Sequence, residues 1–307
     1  IISILNLLLF IYKTVTQHLN LKPLKIFMNQ FLTHYKIQFN NILILFLCIF
    51  FLQCKNQNKS IKETSETKKV RQDSLIEKYV TNCAKTYNYR FEMQEWQNCL
   101  NQGLKIDSTV AYFWQQKAMP YFKAKKYEVG MEYLNKAVMY NSERWLSYRA
   151  FIKCIFSKTY KDAIKDFEKC IETEGNSYVM DHTYKFHIAL CNLQLNKYKK
   201  AEEIFKIDIE EQEEEWGEAH FIDLFYYGIS KYEQNKWEEA IAIFDKSLSS
   251  YPNFSDVEYY KSICLLRLNK IEEFRTLYAK AKLDGEMGNT ISEDNSIYET
   301  YPYQVRW

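Results

Sequence analysis

Two series of residues recur along the chain and limit what it can fold into. A small residue returns at Ala84, Ala118, Ala150, Ala189, Gly228 and Ser262. Shortly after each stands a larger one: Met93, Tyr127, Tyr160, Tyr198, Trp237 and Ile271. Both series advance by roughly 34 residues per step, a period typical of stacked supersecondary units. Longer steps near Gly175 and Gly217 place extra loop between copies, and the turn after Ala150 carries about one extra residue. Three residues after the larger residue lies a second small position, held by Trp96, Gly130, Ala163, Ala201, Ala240 and Phe274. Four further on comes an apolar plug: Leu100, Leu134, Phe167, Phe205, Phe244 and Tyr278. Residues four apart share one helix face, so the small residue admits a neighbouring helix and the plug fills the groove beside it. Seven glycines and four prolines in 307 residues leave little room for a strand-and-hairpin rhythm, so the pattern predicts an all-α chain of tandem helix pairs. Two independent series in one register argue against a plain bundle with accidental self-similarity.

The fifth copy is the most complete. It reads Leu224-Phe225-Tyr226-Tyr227-Gly228, then Tyr232, Lys236-Trp237-Glu238-Glu239-Ala240, Phe244 and Pro252. This helix-turn-helix signature resembles the tetratricopeptide repeat family. The resemblance implies a right-handed superhelical solenoid of about six repeats, because one such unit cannot bury its apolar face alone. The units fall at about 77–110, 111–144, 145–178, 181–215, 221–254 and 255–288. The outer copies carry Trp96 and Phe274 at the small position, in keeping with atypical terminal repeats. In the family the first helix of each pair lines a concave groove that holds protein or peptide segments. Carrying those positions over gives Gln115 and Phe122 in the second unit, Phe186 in the fourth, Phe225 and Tyr232 in the fifth and Tyr259 in the sixth. They are too apolar for a clamp on an acidic peptide terminus, and the same aromatics also suit inter-repeat packing.

Composition bounds the chemistry. A net charge of +2 gives no field favouring nucleic acid, and the 25 Tyr, 20 Phe and 6 Trp are not interleaved with basic residues as base-stacking platforms require. No nucleic-acid partner is expected. No metalloprotease, phosphate-loop, nucleophile-elbow or dinucleotide motif occurs, and the scattered glycines cannot build a phosphate cradle. The chain therefore reads as a non-enzyme without cofactor. His187 and Cys191 form a pair four apart, but a metal site would need a third ligand, and His182 falls off that face; both read as packing residues. The acidic run Glu210, Glu211, Glu213, Glu214, Glu215 and Glu218 reads first as a solvated helix end, and otherwise as a docking patch for a basic partner. Eight cysteines contain no C-x-x-C pair, and most repeat cysteines sit at packing positions. Cys83 with Cys99, and Cys154 with Cys170, lie in paired helices and could form disulfides in an oxidising compartment.

The N-terminal 53 residues read as a leader. From Met28 a polar region with His34 and Lys36 leads to the unbroken apolar run Ile42 to Leu52, then Gln53-Cys54. That run is too short to span a bilayer, which takes about 20 residues, and suits a signal-peptide core. Residues 1–27 read as upstream translation ahead of a start at Met28. The box Phe51-Leu52-Gln53-Cys54 resembles a bacterial lipoprotein signal in which Cys54 is acylated, although Phe51 and Gln53 depart from its usual residues. Residues 54–76, with Lys55, Lys59, Lys62, Lys68, Lys69 and Arg71, then read as a flexible tether. The array follows at 77–288. Residues 289–307 are too apolar for a disordered tail, and Pro302 forbids one long helix, so they read as a cap over the Ser255–Met287 unit. The expected function is a protein-interaction scaffold, lipid-anchored in a bacterial envelope and facing the periplasm from the outer membrane. The competing expectation is a glycan-binding outer-membrane lipoprotein, for which the inserts near Gly175 and Gly217 look short.

Overall fold

The structure, a computed structural model, describes residues 64–307. The leader, Cys54 and residues 54–63 of the expected tether lie outside the described residues. Helix α1 (Ser65–Ile76) continues into a π turn (Glu77–Thr81) and a short 3-10 turn (Ala84–Thr86). It pairs with α2 (Met93–Ile106). Five regular helix pairs follow: α3 (Ala111–Lys123) with α4 (Tyr127–Tyr140), α5 (Ser142–Ile155) with α6 (Tyr160–Glu174), α7 (Tyr184–Gln194) with α8 (Tyr198–Trp216), α9 (Phe221–Tyr232) with α10 (Trp237–Ser250), and α11 (Ser255–Arg267) with α12 (Ile271–Glu286). The π and 3-10 turns pack on α2, each helix from α2 onward packs on the next in sequence, and the first helices of successive pairs also touch: α5 with α7, α7 with α9, and α9 with α11. The described residues thus form an all-α solenoid of six stacked pairs, and none of their helices is long and apolar enough to cross a membrane.

The repeated positions hold the array together as their sizes dictate. Ala84, Ala118, Ala150, Ala189 and Ser262 are fully buried, as are the plugs Leu100, Leu134, Phe167, Phe205 and Phe244. Gly228 lies against the Phe244 ring so closely that an added methyl would collide with it. A methyl on Gly130 would stand 2.6 Å from the Phe122 ring. Of the six plugs, Tyr278 of the last pair is the exposed one. One core cluster runs from Ala111 to Tyr301, and a second, with Val80, Trp96, Leu100 and Phe113, serves the first pair. A Cys83–Cys99 disulfide, with Cα atoms 5.8 Å apart, fastens that pair. The other candidate pairing does not form. Cys154 and Cys170 are both free, and Cys154 lies instead beside Cys191 and His187 on α7, the first helix of the next pair, since its side chain faces that pair and not its own partner helix.

The tether reading of residues 54–76 fails for residues 65–76, which are helical. Leu75 and Ile76 pack on the second core cluster, while Arg71 and Gln72 reach the Asp107 carboxylate at 2.9 and 3.1 Å. A polar segment rich in good helix formers needs only such a docked face to stay helical. The first unit's opening helix therefore starts at Ser65, ahead of the expected boundary at residue 77. The insert near Gly175 is a small antiparallel hairpin, β1 (Tyr178–Val179) with β2 (His182–Thr183). Met180 and Asp181 take positive φ at its tip, as a two-residue hairpin turn requires. Two-residue strands are too short for alternation to show in sequence.

A second periodic feature joins the helices of each of the five regular pairs. Lys125, Lys158, Asn196, Asn235 and Asn269 all adopt φ between 55° and 60°, two residues before the second helix begins. Asn tolerates this left-handed conformation through local hydrogen bonding, whereas Lys carries the full steric cost. Lys125→Gly is therefore expected to raise stability by up to about 1 kcal/mol, and Asn235→Ala to lower it. Thermal melts of the two variants check this, and a lower melting temperature for Lys125→Gly would refute the turn argument.

Candidate partner-binding groove

The touching first helices form the inner face of the solenoid, and residues 289–307 lie along it as a loop that runs out and returns. The segment leaves α12 through Gly288, at φ 88°. The Asn289 carbonyl accepts from the Ser255 N–H at 2.9 Å. Glu293 then reaches His182 of the fourth pair at 2.9 Å. A turn around Asn295 carries Tyr298 to the first and second pairs, where its hydroxyl meets Arg90 and Lys123, each at 3.3 Å. Glu299 bonds the Tyr127 hydroxyl and pairs with Lys158 at 3.1 Å. On the return path the Pro302 carbonyl accepts from the Tyr226 hydroxyl at 2.9 Å, and the Tyr303 hydroxyl donates to Glu233 at 2.8 Å. Trp307 ends the chain over Gly285, with its ring 5.8 and 5.6 Å from those of Tyr259 and Tyr278.

Asp256 closes this loop at its base. Its Oδ2 accepts from the Thr290 hydroxyl at 2.6 Å and the Ile291 N–H at 3.0 Å, and its Oδ1 accepts from the Val305 N–H at 2.6 Å. The carboxylate is fully buried, and burial raises its proton affinity against the pull of these three donors. At the far end the charges are matched. Burial favours a neutral Glu299, but the Tyr127 hydroxyl and the Lys158 ammonium outweigh it and hold the carboxyl below its usual range. The Tyr89 hydroxyl, with Arg90 and Lys123, lowers the Tyr298 hydroxyl to about 8 despite partial burial. Ile291 and Tyr301 are buried in the main core, so the segment belongs to the folded body. The apolar pattern predicts a cover for the Ser255–Met287 pair, and the segment reaches further. Trp307 makes that contact, while Tyr298 and Glu299 extend to the first three pairs.

The groove residues chosen from sequence are placed differently. Phe122, Phe186 and Phe225 are buried between helices: Phe122 against Phe156, Phe186 against His182 and Phe205, and Phe225 against Phe244 and Phe254. Gln115 is buried and accepts from Gln116. Tyr232 is half-buried against Trp237 and Tyr260. Tyr259 alone of the six meets the seated segment, through Trp307. The residues that face the groove are the next in sequence, namely Tyr226, Glu233 and Tyr260, the last 5.8 Å from the Tyr303 ring. One residue is about 100° around a helix, enough to turn a side chain from the inner face into the inter-helix seam. Sequence reasoning also missed Arg90, Lys123, Lys158 and Asp256. For the three basic residues the signal was a cation near the turn of each early pair, which looks like any solvated lysine, and Asp256 looks like any acid in the first turn of a helix. The acidic run occupies the outer end of the long helix α8, where Glu211 and Glu213 pair with Lys185 and Lys246.

Asp256→Ala leaves two buried N–H groups and a hydroxyl without an acceptor, so it should cost about 1–3 kcal/mol and free the loop. Chymotrypsin is expected to cut the variant within residues 298–307 faster than wild type. Equal cleavage rates together with equal melting would show that the carboxylate does not hold the segment.

The tetratricopeptide repeat family matches residues 224–253. No curated protein matches the chain in sequence. Among solved structures, PilW, described as a widely conserved type IV pilus biogenesis factor, superposes with TM-score 0.55 at 14% identity, over 74% of this chain and 99% of its own. The pilF protein of Pseudomonas aeruginosa gives 0.51 at 16%, over 69% and 90%. A tetratricopeptide repeat protein from Parabacteroides merdae ATCC 43184 gives 0.51 at 18%, over 70% and 85%. Identities this low speak for the fold alone. Repeat period, small-residue register and helix pairing agree with these matches: residues 224–253 carry a tetratricopeptide repeat, and the described residues share the helix-pair solenoid fold of these structures.

Proposed function

We propose that this chain is a non-enzymatic scaffold that holds an extended segment of a partner protein along its inner face, and that a lipid on Cys54 tethers it to a bacterial envelope membrane, facing the periplasm from the outer membrane. One observation supports the first part above others. The inner face already accommodates an extended peptide, the chain's own residues 289–307, through backbone acceptors, aromatic contacts and a cationic end at Arg90, Lys123 and Lys158. A partner segment fitting the same surface carries an aromatic hydroxyl beside a carboxylate at its turn, as Tyr298 and Glu299 do. It has to displace the tethered loop, whose effective concentration is in the millimolar range for a short linkage. The short apolar run ending at Cys54 supports the membrane anchor.

Two experiments test this reading. A labelled peptide of residues 289–307 is titrated into full-length wild type and into a Tyr298→Ala/Glu299→Ala variant, whose own loop is weakened while the groove is intact. The variant is expected to bind the peptide at least about tenfold more tightly than wild type, since the internal competitor is loosened. A folded variant that does not bind would overturn groove recognition. For the anchor, Cys54→Ser is expected to leave the membrane fraction, and a variant that remains there at processed size would exclude lipidation at Cys54.

A further inference from the structure

We propose that His182, His220 and Asp223 bind a divalent transition-metal ion of the zinc type, at the junction of the hairpin insert, the start of α9 and the C-terminal loop. His182 lies on β2, His220 caps α9, and Asp223 sits in its first turn. One ligand atom of each lies within 4.8 Å of the other two. Asp223 Oδ1 is 2.6 Å from His182 Nδ1 and 3.5 Å from His220 Nδ1. Ligand atoms around a tetrahedral zinc stand roughly 3.3–3.5 Å apart, given bonds of about 2.0–2.2 Å. The His220 separation already fits, and the His182 contact has to open by less than about 1 Å.

Three further observations point to a cation here. First, His220 Nδ1 is buried and makes no hydrogen bond, although its ring edge reaches solvent. It is a donor atom aimed into the cluster with a route of entry beside it. Second, the other two ligands are held from behind. His182 Nε2 bonds Glu293 at 2.9 Å, which leaves Nδ1 facing Asp223, and Asp223 Oδ2 accepts from Gln212 at 2.8 Å. Carboxylate support on the far nitrogen of a histidine orients and strengthens it as a ligand. Third, three carboxylates, Asp208, Asp223 and Glu293, meet here, and their basic partners are histidines: His182 lies between Asp223 and Glu293, His220 stands 3.5 Å from Asp223, and among the described residues no lysine or arginine pairs with any of the three, so the carboxylates outnumber the positive charge. A dication offsets this excess; it takes the place of the proton shared by His182 Nδ1 and Asp223, which passes to solvent. Two imidazole nitrogens and one carboxylate oxygen suit zinc or cobalt, with the fourth position open to water at the His220 edge.

The test uses the full-length chain, freed of metal with a chelator and titrated with Co²⁺, then Zn²⁺. One equivalent is expected to bind with Kd below about 10 µM. Weak visible bands of a nitrogen–oxygen tetrahedral Co²⁺ site should appear, and Zn²⁺ should raise the melting temperature by mass action. His220→Ala, at a half-exposed position, should melt like the metal-free wild type and lose binding at least tenfold. Glu293→Gln, which weakens only the support of His182, should lose about 10–100-fold. The proposal is overturned if no saturable binding appears below about 100 µM, if His220→Ala binds like wild type, or if strong near-ultraviolet thiolate bands place the ion at Cys154 and Cys191 instead.

Discussion

The array rests on a ring pressed against a residue with little or no side chain. Phe244 against Gly228 and Phe122 against Gly130 show how close the approach is, and Ala150, Ala163, Ala189 and Ala201 repeat it with one methyl. Close packing of this kind forfeits contacts for any gap and admits no extra atoms. It also leaves each pair with an apolar face that only the next pair can cover. On the sixth pair, Trp307 lies over Gly285 and beside Tyr278.

To bring Trp307 back to α12, the chain after Gly288 travels the inner face and returns. Asp256 gathers both limbs, so one buried carboxylate fixes the loop at its base while Tyr298 and Glu299 fix its tip among Arg90, Lys123 and Lys158. The inner face is thus matched in charge and shape to a segment of the same chain. Under the proposed function, affinity for an outside segment is a difference between two similar sets of contacts, one of them tethered.

The departures from the repeat period are where unusual chemistry gathers. The insert after Gly175 brings His182 inward, and the long step after Gly217 brings His220 to the start of α9. Buried polar clusters need every member satisfied, and this one is satisfied except at His220 Nδ1.

Sequence alone determined the helix pairs, their number and their register, because size constraints at Ala118, Ala163, Phe167, Ala240 and Phe244 recur at fixed spacing and need no knowledge of distant contacts. It also marked residues 289–307 as too apolar to be free. It misjudged residues 65–76, whose helix depends on docking through Leu75, Ile76 and Asp107, and it turned the groove face by one residue toward Phe225 instead of Tyr226. A shift of one position is invisible to a pattern of apolar residues when aromatics occupy both places. Only the tertiary structure decided where the C-terminal loop runs, and that Asp256, His182 and Glu293, far apart in sequence, share its contacts. Those pairings are set by the superhelical path of the whole array, and no local propensity encodes them.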